Sequence, residues 1–158
     1  MAEPEPGITM RTPRPGDLPQ VVAMENRSFA DPWSRESLEP ELVPDRLRLP
    51  LVAEAAGKIV GYLMAWKIVD QLHVLNIAAD PDFRRRGVGT ALLLAAAGQA
   101  AERGLVEIIL EVRESNHEAR AFYLGHGFVT TGCRQGYYVD NGEDAIIMTR
   151  LVSGLLET

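Results

Sequence analysis

"NIAADPDFRRRGVGTALL", residues 76–93, joins a strand-like run to a helix-like one through three arginines and two glycines. On one side it continues the apolar run "QLHVLNIAA" (71–79); on the other, Thr90 to Arg103 is rich in the strong helix formers Ala and Leu, and Gly104 stops it. A helix start carries unpaired backbone amides and the positive end of the helix dipole, and a glycine turn there lets backbone approach an anion closely. The stretch therefore outlines a phosphate cradle. It is neither of the common nucleotide motifs, because no Lys-Ser/Thr follows the last glycine and Leu92 stands where the dinucleotide pattern needs a third glycine. From these residues alone a plain glycine turn with solvated arginines stays open.

Strands and helices alternate outward from this point. Ile8 to Thr12 reads as a short strand, and Asp17 can cap a helix carrying Leu18, Val21, Met24 and Phe29. Between Pro32 and Pro40, Ser34 can cap a second, short helix. "LPLVAEAAGKIVGYLMAWKIV" (49–69) divides at Ala56-Gly57 into the two arms of a hairpin. "VEIILEV" (106–112) has apolar residues on both faces and predicts a central strand covered on both sides. "NHEARAFYLGHG" (116–127) predicts a short helix ended by Gly125 or Gly127, followed by two closing strands, Phe128 to Cys133 and Ala145 to Arg150. The order is that of an α/β or α+β fold with mostly sequential strands.

The bulk numbers exclude several classes. A chain of 158 residues, 46% hydrophobic and 24% charged, fits one soluble domain over 1–158, with residues 1–7 and 152–158 read as loose ends. No basic-then-apolar leader opens the sequence and no run approaches the roughly 18 apolar residues of a membrane helix, so a cytoplasmic protein without a membrane partner is expected. A net charge of −6 repels polyanions, so no nucleic-acid partner is expected and the arginines are a local device. Cys133 is the single cysteine, in a run that reads as an apolar strand where a thiol is inert. His73, His117 and His126 have no ligand or triad spacing, and no metal site is expected.

The segments "FADPWS" (29–34), "NIAADPDFRRRGVGTALL", "LEVRESNHEARAFYLGHGF" (110–128) and "GYYVDNGEDAIIM" (136–148) together resemble, in order, the GNAT acetyltransferase superfamily, whose cofactor loop is Gln/Arg-x-x-Gly-x-Gly/Ala. Within it they resemble the RimI group of N-terminal alanine acetyltransferases acting on a ribosomal protein, over about residues 8 to 150. The resemblance implies a mixed, mostly antiparallel twisted sheet with a central splay, helices on both faces, and acetyl-CoA as donor. It implies that the loop Arg84, Arg85, Arg86, Gly87, Val88, Gly89 and Thr90 holds the pyrophosphate, and that the backbone of Ile77 and Ala78 pairs with pantetheine and polarises the thioester. Asn116, Arg120 and Tyr123, spaced i, i+4, i+7, share a helix face that can line the same ligand.

The same resemblance makes Tyr123 the acid that protonates the departing thiolate and Glu111 the general base, direct or through water. Read by physics alone, Tyr123 can be a core ring, and Glu111, in an apolar strand, can be paired with Arg113 or Arg120, because an unpartnered buried carboxylate is costly. Asn76, Trp33, Tyr137 and Tyr138 are the implied substrate-binding residues. Asp31 departs from the group, which more often carries an apolar or neutral residue before Pro-Trp. The implied acceptor is the α-amine of an N-terminal peptide from a ribosomal or other cytoplasmic protein, reached by direct transfer in a ternary complex. A GNAT enzyme for lysine or a small amine, and a noncatalytic acyl-CoA-binding module, are the competing classes. A sensor, however, needs neither Glu111 nor Tyr123.

Overall fold

Ala56 and Gly57 both take positive φ, 51° and 78°, the geometry of a two-residue hairpin turn that matches strand twist. They close β2 (Leu51–Ala55) onto β3 (Lys58–Ile68), with Ala55 opposite Lys58. The computed structural model describes residues 7–83 and 86–157. β1 (Ile8–Arg11) pairs antiparallel with β2 on its outer side, and a second two-residue turn at Val69 and Asp70 brings back β4 (Gln71–Ala79) along β3. The chain then crosses over through α3 (Val88–Glu102) to β5 (Glu107–Arg113), which lies parallel to β4. A crossover of this kind is what a parallel pair requires.

After α4 (His117–Gly125), β6 (Val129–Arg134) and β7 (Ala145–Leu151) complete a seven-stranded mixed sheet of order β1-β2-β3-β4-β5-β7-β6. The last two strands are thus not laid down sequentially: β7 inserts beside β5 and leaves β6 at the edge. α1 (Leu18–Ser28) and α2 (Arg35–Glu41) cover one face, packing Val21, Met24 and Leu38 on Tyr62 and Met64. On the other face α3 packs Leu92, Leu93 and Ala96 on Leu63, Leu72 and Ile108. Gly61 allows that close approach, because a Cβ there would stand 2.6 Å from Val88 Cγ1. No helix among the described residues is long and apolar enough to cross a membrane.

Two expectations are corrected. β5 is covered on one face only: Ile108, Leu110 and Val112 are buried, while Glu107, Ile109, Glu111 and Arg113 are half-buried. α1 packs over β3 and β4, and the Glu111 and Arg113 face of β5 floors an open cleft. The chain end is also built in. Residues Val152–Leu156 form α5, which buries Val152 and Leu155 and packs against α3, where a loose end was expected.

Candidate active site

The hydrogen-bonded pairing of β4 and β5 runs only from Gln71↔Glu107 to Val74↔Leu110, although β4 continues to Ala79 and β5 to Arg113. A bulge in the β3–β4 ladder, where Leu75 is inserted between the pairs Met64↔Asn76 and Ala65↔Val74, coincides with the point of separation. Bulges bend a strand and increase its twist, and here the bend carries β4 away from β5. Beyond it, the peptide groups of Leu75 to Ala79 that face away from β3 have no strand partner. Two clefts open at this splay. One, of about 940 Å³, runs along Ile77 to Ala79, the start of α3 and one side of α4. The other, of about 690 Å³, lies between the α1–α2 loop, the open end of β5 and the loop before β7. They share Ser28, Phe29, Ile77, Asn116, Ala119 and Tyr123, so each opens into the other along one seam.

The first cleft combines small residues and exposed backbone from β4 and α3 with larger side chains of α4, Phe122, Tyr123 and Glu118 among them. Gly87, at φ +79°, caps α3 without any side-chain hydrogen bond, and the first helical bond runs from the Ala91 amide to the Gly87 carbonyl at 2.9 Å. The amides of the first turn therefore have no helical partner, and a glycine cap supplies no side-chain acceptor to fill them. That arrangement suits an anion. Val88 turns its side chain into the core, 1% exposed, and offers only backbone. A Cβ on Gly89 would approach the Phe122 ring to 3.4 Å, so the glycine keeps the cleft open beside that ring. Thr90 Oγ1 lies 3.0 Å from His126 Nε2. Arg86 is exposed and stacks over Phe83, 4.9 Å from the ring centroid. Arg84 and Arg85 lie outside the described residues.

Asn116, Arg120 and Tyr123 do not all meet. Asn116 is the cap of α4, its side chain accepting from the Ala119 amide at 3.1 Å, and it lines both clefts together with Tyr123. Arg120 lines neither; its Nη1 donates to the Glu114 carbonyl at 2.8 Å. The i, i+4, i+7 count begins on a non-helical cap residue, so the rotation it assumes is not realised. Ala119 and Phe122 line the first cleft instead.

Tyr123 sits at the seam, 6% exposed, with Phe122 and Phe128 edge-on at 5.2 and 5.4 Å. Burial pushes its phenol well above the usual value, so the hydroxyl keeps its proton at neutral pH. Glu111 faces the second cleft from β5. Its partner is Arg134 of the edge strand, Nε to Oε1 at 3.0 Å, not Arg113 or Arg120 as its sequence neighbourhood suggests. Arg113 is engaged elsewhere: it bonds Asp140 at 3.0 Å and Glu143 at 3.1 Å, lies 3.9 Å from Asp31, and stacks on Tyr138 with Cζ 3.9 Å from the ring centroid. Tyr138 thus lines the cleft, whereas Tyr137 stands outside it, edge-on to Tyr138 and beneath Arg134. His73 looks toward Glu111 from β4; burial lowers its imidazole and the Glu111 charge opposes that shift. Cys133 lies exposed on β6 rather than in apolar surroundings, Sγ 3.7 Å from Asp144 Oδ2.

Sequence reading missed Glu25. This α1 carboxylate is 1% exposed and accepts from the Tyr62 hydroxyl, from Asn76 Nδ2 at 2.7 Å, and from the Trp33 amide at 2.9 Å. It ties the α1–α2 loop to the splayed part of β4. A signal existed: residue 25 continues the Leu18, Val21, Val22 stripe at i+7, where an apolar residue belongs.

Comparison with known proteins agrees with this geometry. The pattern of the acetyltransferase (GNAT) family matches residues 18–128. The ribosomal protein bS18-alanine N-acetyltransferase of Escherichia coli K12 is 36% identical over 139 residues, covering 87% of this chain and 93% of that protein. An N-alpha-acetyltransferase of Saccharolobus solfataricus is 31% identical over 165 residues, covering 95% and 98%. The crystal structure of the ribosomal-protein-S18-alanine N-acetyltransferase from Escherichia coli superposes with a TM-score of 0.83 at 34% identity, covering 92% of this chain and 94% of that one. With a splayed sheet, a glycine-capped helix and these relatives over most of its length, the chain belongs to the acetyltransferase (GNAT) family and is an acetyl-CoA-dependent N-acetyltransferase.

Proposed function

We propose that the chain moves acetyl from acetyl-CoA to the α-amine of a protein N-terminus beginning with alanine, most naturally that of ribosomal protein bS18, by direct transfer in a ternary complex. The observation that carries this reading is the seam itself: Tyr123 is buried where the backbone-lined cleft meets the charged one, with Glu111 on the far side. Acetyl-CoA would lay its pyrophosphate on the first turn of α3 and its pantetheine along Ile77 and Ala78, whose unpaired peptide groups can bond it. The incoming amine nitrogen bonds to the thioester carbon, the carbon–sulfur bond breaks, the thiolate takes the Tyr123 proton, and the surplus proton left on the new amide nitrogen passes through solvent in the open cleft to restore the tyrosine hydroxyl. A buried phenol is a weak acid, but a thiolate formed in the same dry site is likewise disfavoured as an anion and takes up a proton more readily than in water. Glu111 removes the ammonium proton, directly or through water. The demand is mild, since an α-amine of pKa about 8 is roughly a tenth neutral at pH 7, whereas a lysine near 10.4 costs some 3 kcal/mol more to deprotonate.

The acceptor cleft supports a basic peptide end. Five carboxylates, Glu25, Asp31, Glu111, Asp140 and Glu143, line it with one arginine, Arg113. Such a field favours encounter with a cationic chain end in a cytoplasmic setting. Mass spectrometry of N-terminal peptides incubated with acetyl-CoA tests the proposal. Acetyl should appear on the α-nitrogen of an alanine-initiated basic peptide, vanish when that nitrogen is blocked although lysines remain free, and fall as salt rises. Acetyl on lysine side chains, or on polyamines in preference to the peptide, would sink it.

A further inference from the structure

The proposed chemistry leaves the buried Glu25 carboxylate without a task. Taking two oxygens out of water is costly unless donors replace the lost hydration, and here three donors do so. Oε1 accepts from Tyr62 and from Asn76 Nδ2, and Oε2 from the Trp33 amide. Among the described residues it has no cationic partner, unlike Glu111, Asp140 and Glu143 in the same cleft. Its three donors come from three elements: β3, the bulged stretch of β4, and the loop after α1.

A side-chain amide has one donating and one accepting end, so a carboxylate oxygen that takes the donating end fixes where the other points. Glu25 therefore decides which way Asn76 is turned. With Nδ2 held at 2.7 Å from Oε1, the oxygen end of Asn76 is left for whatever occupies the cleft that this residue lines. We propose that Glu25 is a positioning residue that fixes Asn76 as a hydrogen-bond acceptor for the substrate's α-ammonium group, while its second oxygen pins the Trp33 wall of the same cleft. The inference rests on the reading above, in which the acceptor is a protein N-terminus. It assigns Asn76 a direction that sequence leaves undecided, since an asparagine can donate or accept equally well. A second turn of the same amide would point two N–H groups at an ammonium and repel it.

The test is steady-state kinetics with an alanine-initiated basic peptide and acetyl-CoA. In Glu25→Gln one end of the new amide must donate: set against the Oε1 partners it turns Asn76 over, set against the Trp33 amide it unpins that wall of the cleft, and in either case the peptide KM should rise about 10- to 100-fold, the range of a hydrogen bond to a charged group. The acetyl-CoA KM, and kcat at saturating peptide, should stay near wild type. The double substitution Glu25→Gln with Asn76→Asp exchanges the two ends of the pair, restores an acceptor and the net charge, and should return most of the lost peptide affinity. Asn76→Leu removes the acceptor without touching Glu25 and should reproduce the KM rise even if the Glu25 variant folds poorly. An unchanged peptide KM in both single variants, beside an active wild type, overturns the inference alone. So does a loss shared by kcat and the acetyl-CoA KM that the exchange fails to rescue, since that marks a purely structural role. A wild-type chain that acetylates lysine or polyamines and no N-terminus overturns the underlying reading and the inference with it.

Discussion

On the proposed cofactor side the cleft is lined by Ala78, Gly87, Gly89, Ala119 and the Phe122 ring, with Glu118 its one charged lining residue among the described residues, and in this reading its binding capacity resides largely in peptide groups and a helix dipole. On the acceptor side five carboxylates surround one arginine, and every one of the walls is held by a side-chain hydrogen bond or ion pair. The difference is one of materials. A ligand that is the same for every turnover and every family member can be held by backbone geometry, which tolerates side-chain change. An acceptor that must be told apart from other amines needs charges at set places, and those come from α1, the loop after it, β5 and the stretch before β7.

If the cofactor half is a backbone device, one charged side chain placed in it should do the most damage. Gly89→Asp adds a carboxylate beside the first-turn amides, where two unit charges about 4 Å apart repel by about 4 kcal/mol at an effective dielectric near 20, about a thousandfold in affinity. The Cβ itself meets only Phe122 at 3.4 Å, so the fold should survive. Calorimetry with acetyl-CoA reads the loss, and wild-type affinity in a folded variant would remove the α3 start from the binding site. At the seam, Tyr123→Phe deletes one hydroxyl and keeps the ring packing on Phe122 and Phe128. Turnover should drop roughly 10- to 10⁴-fold with acetyl-CoA affinity largely kept. Activity near wild type would return Tyr123 to the status of a core ring.

The same contrast explains what was legible beforehand. Residues 76–93 carry one wall of the proposed cofactor half, as a contiguous strand, glycine turn and helix, and α4 supplies much of the other. The β2–β3 hairpin and the end of α3 were equally readable: Ala56-Gly57 specifies its own turn, and Gly104 its own stop at φ +73°. The acceptor half was named only in part. Glu111 stood out as a charge in an apolar strand, yet its partner Arg134 is twenty-three positions away on a strand that is not its neighbour, and short-range pairing rules pointed to Arg113. Glu25 showed only as a charge on an apolar helix stripe; its meaning depends on Tyr62 and Asn76, which only the folded sheet brings to it. The order of β6 and β7 was likewise unreadable, since two short strands joined by a loop can add to a sheet from either side.

The acceptor half should respond more gently and through pH. Glu111→Gln removes a base for an amine that is already a tenth free at pH 7, so the loss should be about tenfold there and shrink above pH 8. A pH-independent loss in the rate profile would assign Glu111 to positioning the amine instead. Arg134→Met tests whether the exposed ion pair orients that carboxylate. Pairs of this kind contribute about 0.2–1 kcal/mol, so turnover should fall by no more than about fivefold. The effect should disappear when Glu111 is already glutamine. Losses that multiply in the double variant would show that Arg134 acts on its own.

The smallest effect belongs to the loop that closes the acceptor side. Glu143 accepts from Ser115 and from Arg113, and these bonds hold its carboxyl down from 4.5 to about 2, with Ser115 contributing most. A carboxylate with a depressed folded-state pKa stabilises the fold fully above its unfolded value and loses that contribution as protons bind. The window here is therefore from about pH 4.5 down to about 2. Glu143→Gln should melt slightly below wild type at neutral pH, and the gap should narrow as pH falls through that window, since wild type then loses what the variant never had. Part of the acid sensitivity should persist in the variant, because Asp140, bonded to the same Arg113, is also held below its ordinary range. Melting curves of both proteins across that range decide it: parallel lines would mean that Glu143 is anchored by packing alone and that the charged half of the cleft is less an ionic construction than its carboxylates suggest.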